Sequence, residues 1–178
     1  MAFLPILTAP DPLLKRTSQP VDRVDDDICR LTDDMLATMY AAPGIGLAAV
    51  QVGVLKRVIV IDVAREGEPP APLRLVNPEV VWVSDEDAKY DEGCLSVPEH
   101  YAEVRRPAEA KVRYLDLEGE IRELHATGFL ATVVQHEIDH LDGILFIDHL
   151  SQLKRNMILR KLLKAKKQEK APPTRAAL

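Results

Sequence analysis

A chain of 178 residues is the size of one domain with a hydrophobic core of its own. Apolar residues make up 47% and charged residues 29%, ordinary values for a soluble globular protein, with a net charge of −5. Two cysteines are too few for a disulfide framework, and no apolar run approaches the roughly 20 residues needed to span a bilayer.

The first twenty residues, punctuated by Pro5, Pro10, Pro12 and Pro20, read as an extended segment lying on the body; with no basic stretch ahead of its apolar start, it is not a signal peptide. Asp25 to Asp27 supply an N-cap and negative first-turn charge for a helix whose buried stripe is Ile28, Leu31, Met35 and Met39. Pro43 and Gly44 end it, and Cys29 within it is expected to be a small core residue. Gly44 to Gly53 is glycine- and alanine-rich, followed by a short β-branched run from Val58 to Ile61 that favours a buried strand. Arg65 to Pro72 is a surface loop, Leu73 to Val76 and Val80 to Val83 are strands broken at Asn77-Pro78, and Ser84 to Asp91 is polar and exposed. Val112 and Tyr114 alternate with charged residues, Asp116 to Gly119 makes a turn, and Ile121 to His125 pairs back as a hairpin. Gly128 opens a helix with the apolar stripe Leu130, Val134, Ile138 and Leu141, ended by Gly143. Leu153 to Leu163 is a last helix, fraying into a Lys- and Pro-rich end. The pattern predicts an α+β fold: mixed or antiparallel strands packed around the helix that begins at Gly128, with an N-terminal and a C-terminal helix. Residues 1–165 are expected to form a single catalytic domain and 166–178 a basic, flexible tail.

The chemistry concentrates in His136-Glu137-Ile138-Asp139-His140, an H-E-x-x-H pattern. Residues four apart share a helix face, so two imidazoles can bind one metal ion while Glu137 handles the proton of a bound water. A catalytic metal site usually has three protein ligands. The metzincin position for a third His holds Phe146, and the only Glu after His140 is Glu169, in the basic tail, so the usual zinc-peptidase arrangements are absent. Upstream, Glu92-Gly93-Cys94-Leu95-Ser96 offers a thiolate suited to Zn(II) or Fe(II). A buried structural cysteine or a nucleophilic Cys–His pair are alternative readings of Cys94. A nucleophile, however, gains nothing from a helix already carrying two metal-spaced histidines and a glutamate. Small residues at Gly44, Gly46, Ala48 and Ala49 would let a strand edge lie against a ligand, and Gln51 can project an amide donor. Phe129 and Val133 share the helix stripe of the two histidines and are candidates to line a pocket. His100, His125 and His149 are read as surface or hydrogen-bonded residues.

Gly44-Ile45-Gly46-Leu47-Ala48-Ala49-Val50-Gln51, Glu92-Gly93-Cys94-Leu95-Ser96 and Gln135-His136-Glu137-Ile138-Asp139-His140 together resemble the three signature motifs of bacterial peptide deformylases, in order and over about Ile6 to Leu153. The resemblance implies a metal-dependent hydrolase that removes the formyl group from the N-terminal formylmethionine of new polypeptides, releasing formate. It implies Cys94, His136 and His140 as metal ligands, Glu137 as general base and acid, and Gln51 with the Leu95 N–H as oxyanion donors. Ile45, Gly46, Glu92, Phe129 and Val133 are expected at the substrate, Val133 as an apolar wall for the methionine side chain. The implied cofactor is one divalent ion per chain, Fe(II) first, with Zn(II), Ni(II) or Co(II) as replacements. Tyr90, Asp91 and Tyr101 on the pocket rim depart from commoner members, which bears on side-chain preference and not on the reaction. A zinc metallopeptidase of H-E-x-x-H type is the competing reading, and a non-catalytic metal-stabilised binding module the third. From Asp148 onward nine Lys and Arg face two acidic residues, a net +7 that leaves −12 on everything before it. This basic helix is either a solvated face or a contact to ribosomal RNA. No membrane association and a cytoplasmic, reducing location are expected.

Overall fold

The computed structural model describes residues 2–169. It is α+β: three helices and two antiparallel sheets, one of five strands in the order β1-β2-β3-β6-β7 and one of two, β4-β5. The strands are β1 (Gly46–Ala48), β2 (Val58–Ile61), β3 (Leu73–Val83), β4 (Asp87–Cys94), β5 (Val97–Pro107), β6 (Glu109–Leu115) and β7 (Ile121–Thr127), and the helices α1 (Asp26–Ala41), α2 (Gly128–Leu141) and α3 (Gln152–Glu169).

The five-stranded sheet is covered on both faces near β2, which explains the unbroken apolar run there. Side chains alternate across a strand. Val58 and Val60 face one way, into a cluster with Ile28, Met35 and Met39 of α1; Ile59 and Ile61 face the other, with Ala131, Val134, Ile138 and Leu141 of α2. A strand buried on both sides has no polar phase, and all four residues of β2 are buried. α1 starts where Asp25 accepts hydrogen bonds from the Asp27 and Ile28 amides, with Asp26 and Asp27 adding charge that suits the helix dipole. The two-stranded sheet sits over a third cluster, with Val97 and Val104 of β5 against Phe146, Ile147 and Leu162.

Several local expectations change. The strands flanking Asn77-Pro78 form one strand, β3, because the interruption is absorbed as a register irregularity with Asn77 at a φ of 50°. The latter half of the Ser84 to Asp91 segment enters β4, and its partner β5 had no strong sequence signal because both strands keep a charged, exposed face. Cys29 is half-buried on α1 and lies outside the core clusters. α3 continues to Glu169, and the Lys166 ammonium donates to the Thr8 carbonyl at 2.6 Å, so residues 166 to 169 extend a helix; the rest of the expected tail lies outside the described residues. No helix among the described residues is long and apolar enough to cross a membrane.

Candidate active site

α2 is buried along most of its length, and it places His136 and His140 one turn apart with ring centroids 5.0 Å from each other. Cys94 comes from the end of β4, just before the chain turns into β5, and its Sγ lies 3.2 Å from His140 Nε2. One ligand atom each from Cys94, His136 and His140 fall within 4.8 Å of one another. The His136 tautomer follows from its neighbour. Nδ1 is 2.8 Å from the Glu92 carboxylate, an acceptor, so Nδ1 carries a proton and Nε2 is the nitrogen left to face the cluster. Glu92 is in turn held by two hydrogen bonds from Arg106, at 2.6 and 2.9 Å, in the fork geometry that guanidinium and carboxylate favour.

The electrostatics favour a cation here. Burial pulls the His136 pKa down, but the hydrogen bonds to Cys94 and Glu92 and the charges around it hold it well above the usual histidine value. His140, buried and next to His136, is pushed well below it. Burial works against the ionised Glu92 as well, yet His136 and Arg106 bring it down to about 2. Glu137 goes the other way: burial raises it to about 7, the charge of His136 opposing. Among the described residues, Glu137 Oε2 and His140 Nδ1 are buried without a hydrogen-bond partner. One sulfur and two imidazole nitrogens, with an unpartnered carboxylate oxygen at hand, fit a divalent ion that keeps an open coordination position.

Cys94 and His136 of the cluster line a cleft of about 490 Å³. Gly44, Ile45, Gly46 and Gln51 line one side, Glu92 to Leu95 another, and Phe129, Val133, His136 and Glu137 of α2 the back. Gly46 is required by proximity: a Cβ there would lie 2.3 Å from Glu137 Oε1. Gln51 sits on the 3-10 turn Ala49–Val52 that follows β1. Its Oε1 accepts the Ala48 N–H at 2.8 Å, which fixes the amide so that Nε2 donates to Ser96 Oγ at 3.0 Å and faces Cys94 Sγ at 3.5 Å. Phe129 packs against Tyr90 with ring centroids 5.5 Å apart, while Tyr101 packs against Gly93 so closely that a Cβ there would meet its ring at 2.4 Å.

Of the residues expected at the site, Ile45, Gly46, Gln51, Glu92, Cys94, Leu95, Phe129, Val133, His136 and Glu137 line this cleft; His140 does not line it but joins Cys94 and His136 in the ligand cluster, and Ala48, Ala49 and Tyr90 lie outside the lining. Glu92, expected at the substrate, has its carboxylate fully engaged by Arg106 and His136. Arg106 and Asp139 were not expected. Arg106 had one usable signal: Ala102, Val104 and Arg106 share the inward phase of β5, and a cation at the end of an inward series needs a buried partner. His125 pairs with Glu109, His149 with Asp139, and His100 Nδ1 lies 2.8 Å from the Pro98 carbonyl at the cleft mouth.

Comparison with known proteins gives one answer. The model of the polypeptide deformylase family matches residues 3–156. A peptide deformylase of Phenylobacterium zucineum is 60% identical over 164 residues, 92% of this chain and 97% of that one, and one of Rhizobium meliloti is 56% identical over 94% and 96%. Among solved structures, a peptide deformylase from Ehrlichia chaffeensis superposes with a TM-score of 0.90 at 42% identity, covering 94% of this chain and 99% of that one. The same organism's enzyme in complex with actinonin gives 0.89 at 44%, covering 96% and 100%.

Proposed function

Because the chain belongs to the peptide deformylase family, whose reaction removes the N-formyl group from nascent polypeptides, we propose that its cleft performs that hydrolysis on formylmethionyl peptides with the following division of labour. Cys94, His136 and His140 hold one divalent ion. The ion, when bound, supplies the Lewis acidity that makes water a nucleophile near neutral pH. Glu137 accepts the proton of that water through Oε2, the oxygen left without a partner, and returns it to the leaving amine. Burial raises its pKa and so helps it hold a proton between taking it from water and giving it to the amine. The Gln51 amide, oriented by Ala48, and the Leu95 N–H would stabilise the oxygen that gains charge as the formyl carbon is attacked. Ile45 and Gly46 border the bound chain, while Phe129 and Val133 give the methionine side chain an apolar wall. Glu92 acts from behind, holding the His136 tautomer.

The single observation that carries the reading is the convergence of Cys94, His136, His140, Glu137 and Gln51 in one cleft. Fe(II) is the ion that the family resemblance implies, with Zn(II), Ni(II) or Co(II) as replacements; one thiolate and two imidazoles accommodate any of these, and an iron form would be redox-sensitive. A cytoplasmic location is the one consistent with action on nascent chains. The exposed lysines and arginines of α3 offer ribosomal RNA a surface. The test is formate release from a formyl-Met peptide under anaerobic conditions, with metal analysis and Cys94→Ser as control. Stoichiometric metal and formate release, both lost in Cys94→Ser, is the expected result. Endoproteolysis without formate would favour a zinc metallopeptidase instead, and no turnover a binding module.

A further inference from the structure

The hydrogen bonds that fix His136 do not stop at Glu92. Arg106 reaches Glu92 with Nε and Nη2, and its Nη1 donates to Asp139 Oδ2 at 2.8 Å. The same Oδ2 is 2.7 Å from His149 Nε2, which must carry a proton to face a carboxylate oxygen. The result is an unbroken series from a half-exposed histidine at the surface to an imidazole of the metal-ligand cluster: His149, Asp139, Arg106, Glu92, His136. Its middle is closed to solvent, with the Arg106 and Glu92 side chains only 5% and 4% exposed.

The 3-10 turn Phe146–His149 that supplies His149 also supplies Phe146, whose ring stacks on His136 with centroids 6.2 Å apart and planes 21° from parallel. One short element therefore bears on His136 twice, by stacking at one end and through the polar series at the other. His140 has no comparable support, since its Nδ1 lacks a partner among the described residues. Two carboxylates share one guanidinium in the series, and His149 is the donor that completes Asp139. Without it, Asp139 would draw Arg106 more strongly and loosen its fork on Glu92.

We propose that His149 is a positioning residue for the metal site, setting the orientation of His136 through Asp139, Arg106 and Glu92. The proposal rests on the reading of Cys94, His136 and His140 as metal ligands. It does not require His149 to approach the substrate.

The test compares the Co(II)-loaded parent enzyme with His149→Leu, which removes the donor, and His149→Gln, which keeps an N–H at about the position of Nε2. The readouts are the visible Co(II) spectrum, the rate of Co(II) loss to a chelator, kcat and KM separately, and the thermal midpoint of the metal-free protein. For His149→Leu the expected result is an altered spectrum, Co(II) loss faster by about 3- to 10-fold, and lower kcat with KM little changed; outer partners bound directly to a ligand are worth roughly 10- to 100-fold. His149→Gln should lie close to the parent, and in a Glu92→Gln background His149→Leu should change the loss rate little, because the series is already cut. An unchanged spectrum and loss rate in His149→Leu with a lower metal-free midpoint would show a merely structural residue and overturn the proposal. So would an effect of His149→Leu that persists in full in Glu92→Gln. A parent that binds no Co(II) through Cys94 would instead remove the metal-site reading beneath it.

Discussion

Glu137 and Gly46 are a matched pair: the carboxylate occupies the space where any other residue at position 46 would put its Cβ. Gly46→Ala should displace Glu137 and lower kcat by on the order of 10²-fold with metal content unchanged, since small misplacements of a catalytic group cost about that much. Glu137→Ala should also keep the metal and lose kcat by about 10²- to 10⁴-fold, the usual contribution of a general acid–base group. Metal analysis beside formate-release kinetics checks both, and an active Glu137→Ala enzyme would refute its assignment. Glu92 governs behaviour in acid. Its folded pKa of about 2 lies below the ordinary 4.5, so its contribution to stability is present above pH 4.5 and is lost as pH falls through about 2. Glu92→Gln should therefore flatten the acid limb of stability against pH, measured by urea midpoints between pH 2 and 6.

At the scale of elements, β2 bears on both cores, and Ile59→Ala should cost about 2–5 kcal/mol, read as a lower urea midpoint at an unchanged m-value. Most of the elements around it were legible in the sequence because each has one dominant signal. Asp25 to Asp27 marked the start of α1, the continuous Val58 to Ile61 run gave a strand covered on both faces, and Gly128 and Gly143 bracketed α2. The β4–β5 pair was missed because Asp87 to Cys94 carries alternate charged residues whose partners lie across the hairpin, as with Lys89 and Glu103. The motifs around Gln51, Cys94 and His136 were visible for a similar reason, since their residue types are rare in combination. The buried Arg106 and the half-buried Asp139 were not, because a charge gives no sign in sequence of the partner that will neutralise it. For α3, truncation after Lys164 should weaken salt-sensitive ribosome binding and leave turnover of a short formyl peptide unchanged; co-sedimentation at two salt concentrations checks this.

Across the whole molecule, metal occupancy and pH should act together on stability. Glu137 has a folded pKa raised to about 7 against an ordinary 4.5, so the metal-free protein takes up a proton there on folding. Its effect on stability is neutral below pH 4.5 and grows unfavourable until pH passes about 7. Glu137→Gln, which cannot ionise, should therefore gain stability relative to the parent between pH 5 and 8 in metal-free protein. A divalent ion bound only by the folded state adds stability in proportion to the logarithm of its concentration over its dissociation constant, about 2.7 kcal/mol at a hundredfold excess. Thermal midpoints with and without chelator, for parent and variant at pH 5 and pH 8, separate the two effects.

The cluster also has a consequence for chain connectivity. Cys94 and His140 are 46 positions apart in sequence, yet their ligand atoms meet at 3.2 Å. An ion held by both would close β5, β6, β7 and nearly all of α2 into a ring, as a disulfide would, and a covalent cross-link of that span removes roughly 4 kcal/mol of disorder from an unfolded chain. Unlike a disulfide, a cysteine and a histidine clasping one ion would be a staple removable by a chelator. Losing the ion then unties a loop as well as stopping catalysis.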